Sequence, residues 1–297
     1  MRVVVTGANG LVGRALTRRF AAPSPASGRG TLARAPSPRE AGRGWPGGPG
    51  EGRRDVIPLT HSDFDITDGP AIAKTMRDLR PDLVINCAVV GVDECERDPA
   101  LARAVNVDGP ALLARNAPAI VHFSSNYVFD GAQEKFYSID DEARPINEYG
   151  RTKLAGERAV MAASTRAFVI RSSWIFGPGK DSFISTVHQR LRAREHVRAV
   201  DDIWASTTYV EDLVLRLVEI VDRSQYGLHH VVNAGVCSNE SFALEAARIV
   251  HADERLIEPV STRVAHQAPR PRYTPLAALP PLRDWRIALA AYIESSP

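Results

Sequence analysis

The amino-acid sequence predicts an α/β protein with a doubly wound parallel sheet and a smaller mixed α/β region in its C-terminal half. Two observations lead to this prediction. Apolar strand patterns alternate with helical patterns through the first half of the chain, and repeated βα units of this kind form a parallel sheet with helices on both faces. A glycine-rich turn also lies between the first predicted strand and the first predicted helix.

Five strands and four helices are predicted in the first half of the chain. The first strand, residues 3–6, is a short β-branched run, and the third, residues 82–87, is of the buried type because Leu83, Val84 and Ile85 are all apolar. The other strands are predicted at residues 55–59, 119–124 and 167–171. The helices between the strands are predicted at residues 11–20, 70–79, 99–116 and 147–163.

The second half of the chain is more mixed. Proline-rich connections at residues 268–275 and 279–281 separate some of its elements. Helices are predicted there at residues 183–194, 210–222, 241–252 and 287–294.

Residues 22–53 differ in composition from the rest of the chain. They contain 6 prolines and 8 glycines, and Leu32 and Trp45 are their only large apolar residues. Such a segment buries too little surface to offset the entropy of ordering. We therefore predict that residues 22–53 are a disordered low-complexity insertion.

Charge and composition narrow the function classes. The chain has a net charge of +2, and residues 22–53 contribute +3 of it, so the remainder carries −1 and has no basic field for nucleic acid. No apolar run reaches the length of a membrane span, and the N-terminus does not resemble a signal peptide. Cys87, Cys95 and Cys237 lack metal-ligand spacing. We expect a cytoplasmic protein with reduced thiols and no metal site.

The turn after the first strand has glycines at Gly7, Gly10 and Gly13. Glycines allow a sharp turn and let a pyrophosphate approach the backbone, and the following helix directs its free N–H groups at that phosphate. This pattern predicts a dinucleotide cofactor. The residues expected to contact it at this turn are Gly7, Asn9, Gly10, Leu11 and Val12.

The glycine turn also defines the expected domains. Residues 1–165 are predicted to form a Rossmann-type dinucleotide-binding domain that carries the insertion at residues 22–53. Residues 166–297 are predicted to be mainly a substrate-binding region, partly interleaved with the Rossmann sheet.

The end of the second strand bears on the choice of cofactor. NAD enzymes of this architecture usually place an acid there to hold the ribose hydroxyls, but no acid occurs before Asp63, and His61 would tolerate a 2′-phosphate. This favours NADPH over NADH without deciding between them. Asp65 and Ile66 follow the strand, where they would meet the adenine. Asp65 would serve equally well as a turn or helix-capping residue.

Tyr149 and Lys153 are four residues apart within a predicted helix. Residues at this spacing share one helix face, and an ammonium beside a phenol lowers the phenol's pKa, which makes the phenol a usable proton donor. The alternative is a solvated pair on the helix surface. The order of the glycine turn and the pair along alternating βα units favours the proton donor.

Several motifs together resemble the extended short-chain dehydrogenase/reductases. In chain order they are Gly7-x-x-Gly10-x-x-Gly13, Asn86-Cys87-Ala88, Ser124-Ser125-Asn126 and Tyr149-x-x-x-Lys153-x-x-x-Glu157. Within that family, residues 127–131, 171–174 and 208–213 are similar to the dTDP-4-dehydrorhamnose reductases. The chain departs from that group at residues 202–208, at Asn126, and at Asp181 and Ser182.

The resemblance implies reduction by NADPH, or NADH, of the C4 keto group of a nucleotide-linked 6-deoxysugar, most closely dTDP-4-dehydro-L-rhamnose. Tyr149 would donate a proton to the alkoxide, Lys153 would lower the pKa of Tyr149 and hold the nicotinamide ribose, and Ser125 would donate a hydrogen bond to the same oxygen. Without the other motifs, Ser125 would be interpreted as a cap. The resemblance leaves a homodimer open.

The resemblance also implies which residues line the rest of the site. Residues beside the cofactor would be Cys87, Ala88 and Val89, in addition to Tyr149 and Lys153. Residues against the substrate would be Asn126, Tyr127 and Trp174, and a core tryptophan is an equal alternative for the last of these.

Two other functions remain open from the sequence. An epimerase or dehydratase of the same superfamily would need an additional acid or base, and Ser125-Asn126 offers no Asp-Glu pair. A cofactor-binding regulatory protein, similar to the regulatory subunit of methionine adenosyltransferase, would act through partner contact. The presence of Ser125, Tyr149 and Lys153 favours catalysis.

Overall fold

The structure is a computed structural model that describes residues 1–21, 54–262 and 268–296. The predicted insertion at residues 22–53 lies outside the described residues. Within the described residues, no helix has both the length and the apolar character that crossing a membrane requires.

A parallel sheet of six strands forms the centre of the fold. Its strand order is β2-β1-β3-β4-β5-β10, and every neighbouring pair is parallel. The strands are β1 (Arg2–Thr6), β2 (Asp55–Leu59), β3 (Leu83–Asn86), β4 (Ile120–Ser125), β5 (Ala167–Ser172) and β10 (Gly227–His230). All five predicted strands are confirmed within two residues at each end. The sixth, β10, was not predicted because Gly-Leu-His-His lacks the β-branched residues that mark a strand.

Helices cover both faces of the sheet, as predicted for a doubly wound fold. In the first half they are α1 (Leu11–Ala21), α2 (Gly69–Leu79), α3 (Val92–Arg97), α4 (Pro99–Arg103), α5 (Gly109–Asn116) and α6 (Glu148–Ala163). In the second half they are α7 (Phe183–Arg192), α8 (Val210–Asp222), α9 (Asn239–Val250) and α10 (Trp285–Ser295). Short α3, which precedes a proline, was not predicted.

The helix predicted at residues 99–116 is interrupted in its middle. A π-helical turn, Ala104–Asp108, separates α4 from α5. Such turns are rare and occur frequently at functional sites. This turn places Asn106 in the interior, where its side chain is fully buried.

The apolar core lies on both faces of the sheet. Val3 and Val5 of β1 belong to one buried cluster with Leu16 of α1. Val4, between them, belongs to a second cluster with Ile72 of α2. This alternation along one strand is what a sheet buried on both faces requires.

The strands of the second half of the chain are of two kinds. Strands β5 and β10 complete the central sheet. The other strands form short parallel pairs outside the central sheet. The pairs are β6 (Ile175–Phe176) with β9 (Thr208–Tyr209), β7 (Val197–Val200) with β12 (Ile257–Val260), β8 (Trp204–Ala205) with β13 (Tyr273–Thr274), and β11 (Asn233–Ala234) with β14 (Leu282–Asp284).

Candidate active site

A cavity of about 610 Å³ opens beside the carboxyl ends of β1, β3, β4 and β5. Its volume is in the usual range for small-molecule sites, and parallel α/β sheets bind ligands at this edge. The predicted residues that line it are Asn9, Gly10, Leu11, Val12, Cys87, Ala88, Val89, Ser125, Asn126, Tyr127, Tyr149, Lys153 and Trp174. Among the described residues, no cluster of His, Cys, Asp and Glu could hold a metal ion.

The glycine turn is packed so closely that side chains would not fit. Gly7 has a φ of 64°, and a Cβ on it would lie 2.7 Å from the backbone nitrogen of Ala88. A Cβ on Gly13 would lie 2.5 Å from the carbonyl oxygen of Gly7. Gly7 therefore shapes the turn without lining the cavity. The result is a backbone cradle at the start of α1 that fits the pyrophosphate of a dinucleotide.

Asn86 holds the ends of β1 and β3 together below this cradle. Its side-chain oxygen accepts hydrogen bonds from the hydroxyl of Thr6, at 2.8 Å, and from the backbone N–H of Ala88, at 3.2 Å. Asn86 itself is 1% exposed. Because both donors lie next to the cavity wall, this amide fixes the wall on which Cys87, Ala88 and Val89 were predicted to meet the cofactor.

Asp65 and Ile66 do not line the cavity. The carboxylate of Asp65 accepts hydrogen bonds from the backbone N–H and the hydroxyl of Thr67, both at 2.8 Å. The backbone bond contributes most to lowering the pKa of Asp65. Ile66 is buried. The structure therefore gives Asp65 the turn role that was its alternative, and adenine contact by the two residues stays a prediction.

Helix α6 carries Tyr149 and Lys153, and glycines set its close approach to the site. Its N-cap residue Asn147 accepts a hydrogen bond from the N–H of Gly150 at 2.8 Å. A Cβ on Gly150 would lie 2.1 Å from the carbonyl oxygen of Tyr127. The helix thus lies directly against the backbone that follows Ser125, which brings the predicted catalytic residues to one cavity.

Ser125 ends β4 and begins a short 3₁₀ turn. Its Oγ accepts a hydrogen bond from the N–H of Tyr127 and donates one to the side-chain oxygen of Asn126, both at 3.2 Å. The amide nitrogen of Asn126 in turn donates to the hydroxyl of Thr274 at 2.7 Å. Asn126 lines the cavity, but its side chain is engaged in orienting Ser125.

The protonation of Tyr149 differs from the sequence-based expectation. Burial raises the pKa of Tyr149 to about 12, and hydrogen bonding with Ser125 only partly opposes this. The expected net lowering of its pKa is therefore wrong, because desolvation of the phenolate outweighs the opposing effects. Tyr149 keeps its proton at neutral pH.

Lys153 is 3% exposed, so it is not a solvated surface residue. Desolvation lowers the pKa of Lys153 to about 8, while the Glu157 carboxylate acts in the opposite direction. Glu157 follows Lys153 by four residues and so lies on the same face of α6. The alternative of a surface Tyr/Lys pair is excluded by this burial.

The π-helical turn connects the cavity wall to α6 through Asn106. Its side-chain oxygen accepts from the N–H of Val90 at 2.9 Å, and its nitrogen donates to the hydroxyl of Thr152 at 3.1 Å. A Cβ on Gly156 would lie 2.3 Å from the carbonyl oxygen of Asn106. The turn therefore packs tightly against the helix that presents Tyr149 and Lys153.

Trp174 and Tyr127 also line the cavity. Trp174 has a φ of 37°, which is strained for a residue other than glycine, and such strain clusters at functional sites. Burial raises the pKa of Tyr127, and the charge of Arg270 and then hydrogen bonding with the side chain of Trp174 partly offset the rise. The ring of Tyr127 packs edge-on against that of Tyr149 with 6.0 Å between centroids. Sugar contact by Trp174 stays a prediction.

Sequence reasoning missed two cations at the cavity, Arg14 and Lys180. Arg14 lies in the first turn of α1, where a positive charge opposes the helix dipole. This unfavourable position of a positive charge can be recognised from the sequence, and it could have marked Arg14 as a candidate functional residue. No such signal marked Lys180, because only the fold brings residues 179–181 to the glycine turn.

Several known proteins with similar sequences or folds are named dTDP-4-dehydrorhamnose reductase. A family profile described as the RmlD substrate binding domain matches residues 1–296. The dTDP-4-dehydrorhamnose reductase of Mycolicibacterium smegmatis is 38% identical to this chain over 305 residues, which cover 97% of this chain and 84% of that protein.

Two solved structures are similar over nearly their whole length. A dTDP-4-dehydrorhamnose reductase from Clostridium acetobutylicum has a TM-score of 0.84 at 29% identity, with 99% of each chain covered. A dTDP-4-dehydrorhamnose reductase from Bacillus anthracis, solved in complex with NADP, has a TM-score of 0.83 at 28% identity, again with 99% of each chain covered.

Proposed function

The chain belongs to the RmlD substrate binding domain family, and from this premise we propose that it is an NAD(P)H-dependent sugar-nucleotide reductase. Its reaction is reduction of the C4 keto group of dTDP-4-dehydro-L-rhamnose to give dTDP-L-rhamnose. The observation that carries the proposal is the meeting of Ser125, Tyr149 and Lys153 at a cavity that the glycine turn also lines.

Tyr149 is the proposed proton donor. A phenol is protonated at neutral pH even at its ordinary pKa, and burial raises the pKa of Tyr149 further, to about 12. Tyr149 can therefore transfer a proton as negative charge develops on the C4 oxygen. The hydroxyl of Ser125 would donate a hydrogen bond to the same oxygen. Its one hydroxyl proton is donated to Asn126 in this structure, so the hydroxyl would turn from Asn126 to the C4 oxygen, while the N–H of Tyr127 donates to its Oγ.

Lys153 is the proposed source of positive charge at the reacting end of the cavity. With a pKa of about 8, most of its ammonium is protonated at pH 7, so it stabilises the phenolate that forms when Tyr149 gives up its proton. Glu157 supports this state because its carboxylate raises the pKa of Lys153.

The cavity residues fit a nicotinamide dinucleotide, which when bound would supply the hydride for the reduction. The glycine turn, with Asn9, Leu11 and Val12, would hold the pyrophosphate. The wall after β3 would contact the ribose, and Lys153 would bind the nicotinamide ribose. NADPH is the favoured form because no acid occupies the end of β2 and because a similar reductase was solved with NADP.

The remaining assignments are part of the same proposal. Asn126, Tyr127 and Trp174 would contact the substrate. Residues 1–165 would form the cofactor domain and residues 166–297 mainly the substrate region. The protein would act in the cytoplasm on a nucleotide-sugar substrate, as a monomer or homodimer, without nucleic-acid or membrane partners.

The proposed function is tested by mixing the purified full chain with NADPH and dTDP-4-dehydrorhamnose and following NADPH absorbance. We expect stoichiometric NADPH oxidation and formation of dTDP-rhamnose. dTDP-glucose, which has no keto group, is the matched control and should consume no NADPH. Normal NADPH binding without oxidation would overturn the reductase assignment and favour a regulatory protein, and isomerisation without net oxidation would favour an epimerase.

A further inference from the structure

The cavity wall carries an excess of positive charge away from the proposed reacting groups. Among the described residues that line the cavity, the cations are Arg14, Lys153 and Lys180, and Asp181 is the one carboxylate. Lys153 belongs to the proposed reacting end on α6. The other two cations therefore need a different explanation.

Arg14 joins the two sides of the cavity beside the glycine turn. Its Nη1 donates a hydrogen bond to the carbonyl oxygen of Asn9, and its Nη2 donates to that of Gly179 at 2.5 Å. A Cβ on Gly179 would lie 2.9 Å from Nη2, so the guanidinium lies directly against that loop. Of the five N–H donors of the guanidinium, these two bonds occupy two and hold the plane in a fixed position.

Lys180 follows Gly179 directly and lies on the same rim. Its ammonium donates to the carbonyl oxygen of Ile175 at 3.2 Å. Desolvation lowers the pKa of Lys180, although much of its side chain is exposed to solvent at the rim. Throughout the described parts of the chain, no ion pair joins Arg14 or Lys180 to a carboxylate.

We propose that Arg14 and Lys180 form a diphosphate clamp, which closes the loop at residues 177–181 over the glycine turn. The ligand is a diphosphate group, because two cations without an ion pair line the cavity on the loop and on α1, beside the free N–H groups of the first turn of α1. The inference rests on the proposed function in one respect. Both the dinucleotide cofactor and the nucleotide sugar carry a diphosphate, and the proposal names the chemistry they share.

The clamp is tested by direct binding, without turnover. Kd values for NADPH and for dTDP are measured by calorimetry with the wild-type chain, Arg14→Met and Lys180→Met. Each variant removes one charge and retains an unbranched apolar side chain. We expect each to weaken binding of at least one ligand about tenfold, as for loss of a charge-assisted hydrogen bond. The salt dependence of that binding should also become less steep.

Lys74→Met and Arg77→Met are the matched controls, since both cations lie exposed on α2 outside the cavity lining. Each control should leave both affinities unchanged. Asp181→Asn, which removes the one carboxylate of the lining, should strengthen binding of the ligand that the clamp holds. Thermal unfolding of each variant establishes that it is folded.

The two ligands distinguish the sources of the diphosphate. Weaker NADPH binding assigns the clamp to the cofactor, weaker dTDP binding assigns it to the nucleotide sugar, and loss of both supports a shared clamp. Unchanged affinities for both ligands in both variants overturn the proposal, as does an equal loss in the two controls. A wild-type chain that binds both ligands but fails to reduce the ketosugar would remove the proposed function and leave the clamp standing.

Discussion

Arg171 of β5 and Glu157 of α6 form a bidentate ion pair in which both side chains are almost completely buried. The Arg171 Nε to Glu157 Oε1 and Nη2 to Oε2 distances are 2.8 Å and 2.7 Å, and the side chains are 5% and 1% exposed. Ser124 adds a hydrogen bond to Glu157 at 2.5 Å. The pair connects the central sheet to the helix that carries Lys153, one turn before Glu157.

Removing one partner of this pair is expected to be costly. Glu157→Gln leaves the Arg171 guanidinium without a counter-charge in the interior, so we expect a loss of about 3–5 kcal/mol in the free energy of unfolding. Urea denaturation measures it. The control is the double variant Glu157→Met, Arg171→Met, which should lose less than Glu157→Gln because no buried charge remains. A double variant that loses as much stability as Glu157→Gln, or more, would contradict this account.

The stability of the protein should depend on pH through Lys153. Desolvation lowers the pKa of Lys153 to about 8 in the folded state, whereas an unfolded lysine titrates near about 10.4. Between these values the unfolded chain binds more protons, so the free energy of unfolding rises with pH in that window. The full difference corresponds to roughly 3 kcal/mol.

Lys153→Met provides the reference for this measurement, since it removes the titrating group and retains much of the apolar stem. The stability of the wild type minus that of Lys153→Met should increase from pH 7 to pH 9.5 in urea denaturation. A constant difference across the window would show that Lys153 keeps an ordinary pKa.

Tyr149→Phe should remove most of the turnover and leave cofactor affinity nearly unchanged. The variant deletes only the hydroxyl that carries the transferable proton, and such general acids contribute about 10²–10⁴-fold to rates. NADPH oxidation with the ketosugar measures turnover, and calorimetry with NADPH measures affinity. A phenylalanine variant with the full rate would remove Tyr149 from the mechanism.

The contact of α6 with the π-helical turn should not tolerate a methyl group. Gly156→Ala would place a Cβ 2.3 Å from the carbonyl oxygen of Asn106, so backbone must shift, at a cost of about 1–3 kcal/mol. Gly69→Ala is the control, because its Cβ would meet only the two Leu112 methyl groups, at 3.7 Å and 4.0 Å. Thermal denaturation should show a lower Tm for the first variant and no loss for the second. Equal stability of Gly156→Ala and wild type would contradict the packing described.

The parts of the site that could be predicted are those that depend on residues close together along the chain. The glycine turn could be predicted because the strand before it, the glycines that leave no room for side chains and the helix after it all lie between residues 2 and 21. Tyr149 and Lys153 share a helix face because of their spacing alone. For the same reason the five strands with apolar runs were predicted, whereas β10, which pairs with β5 to complete the sheet, was not.

The protonation states could not be predicted in this way. An ammonium four residues from a phenol suggested a lowered pKa for Tyr149, but the pKa rises to about 12 because the ring is desolvated among residues from other elements. Asp65 shows the same limit. Its position after β2 left a turn role and an adenine contact equally open, and only the fold shows that its carboxylate closes a local turn with Thr67.

The sequence by itself determined the βα order, the glycine turn, the helical face of Tyr149 and Lys153, and the family resemblance, because each depends on local spacing. Tertiary structure alone decided which groups face one another. It buried Lys153 near the Glu157–Arg171 pair, turned Asn106 inward and brought Gly179, the neighbour of Lys180, to Arg14. Those contacts join residues from separate elements, and the desolvation and pairing that set their charges exist only once the chain is folded.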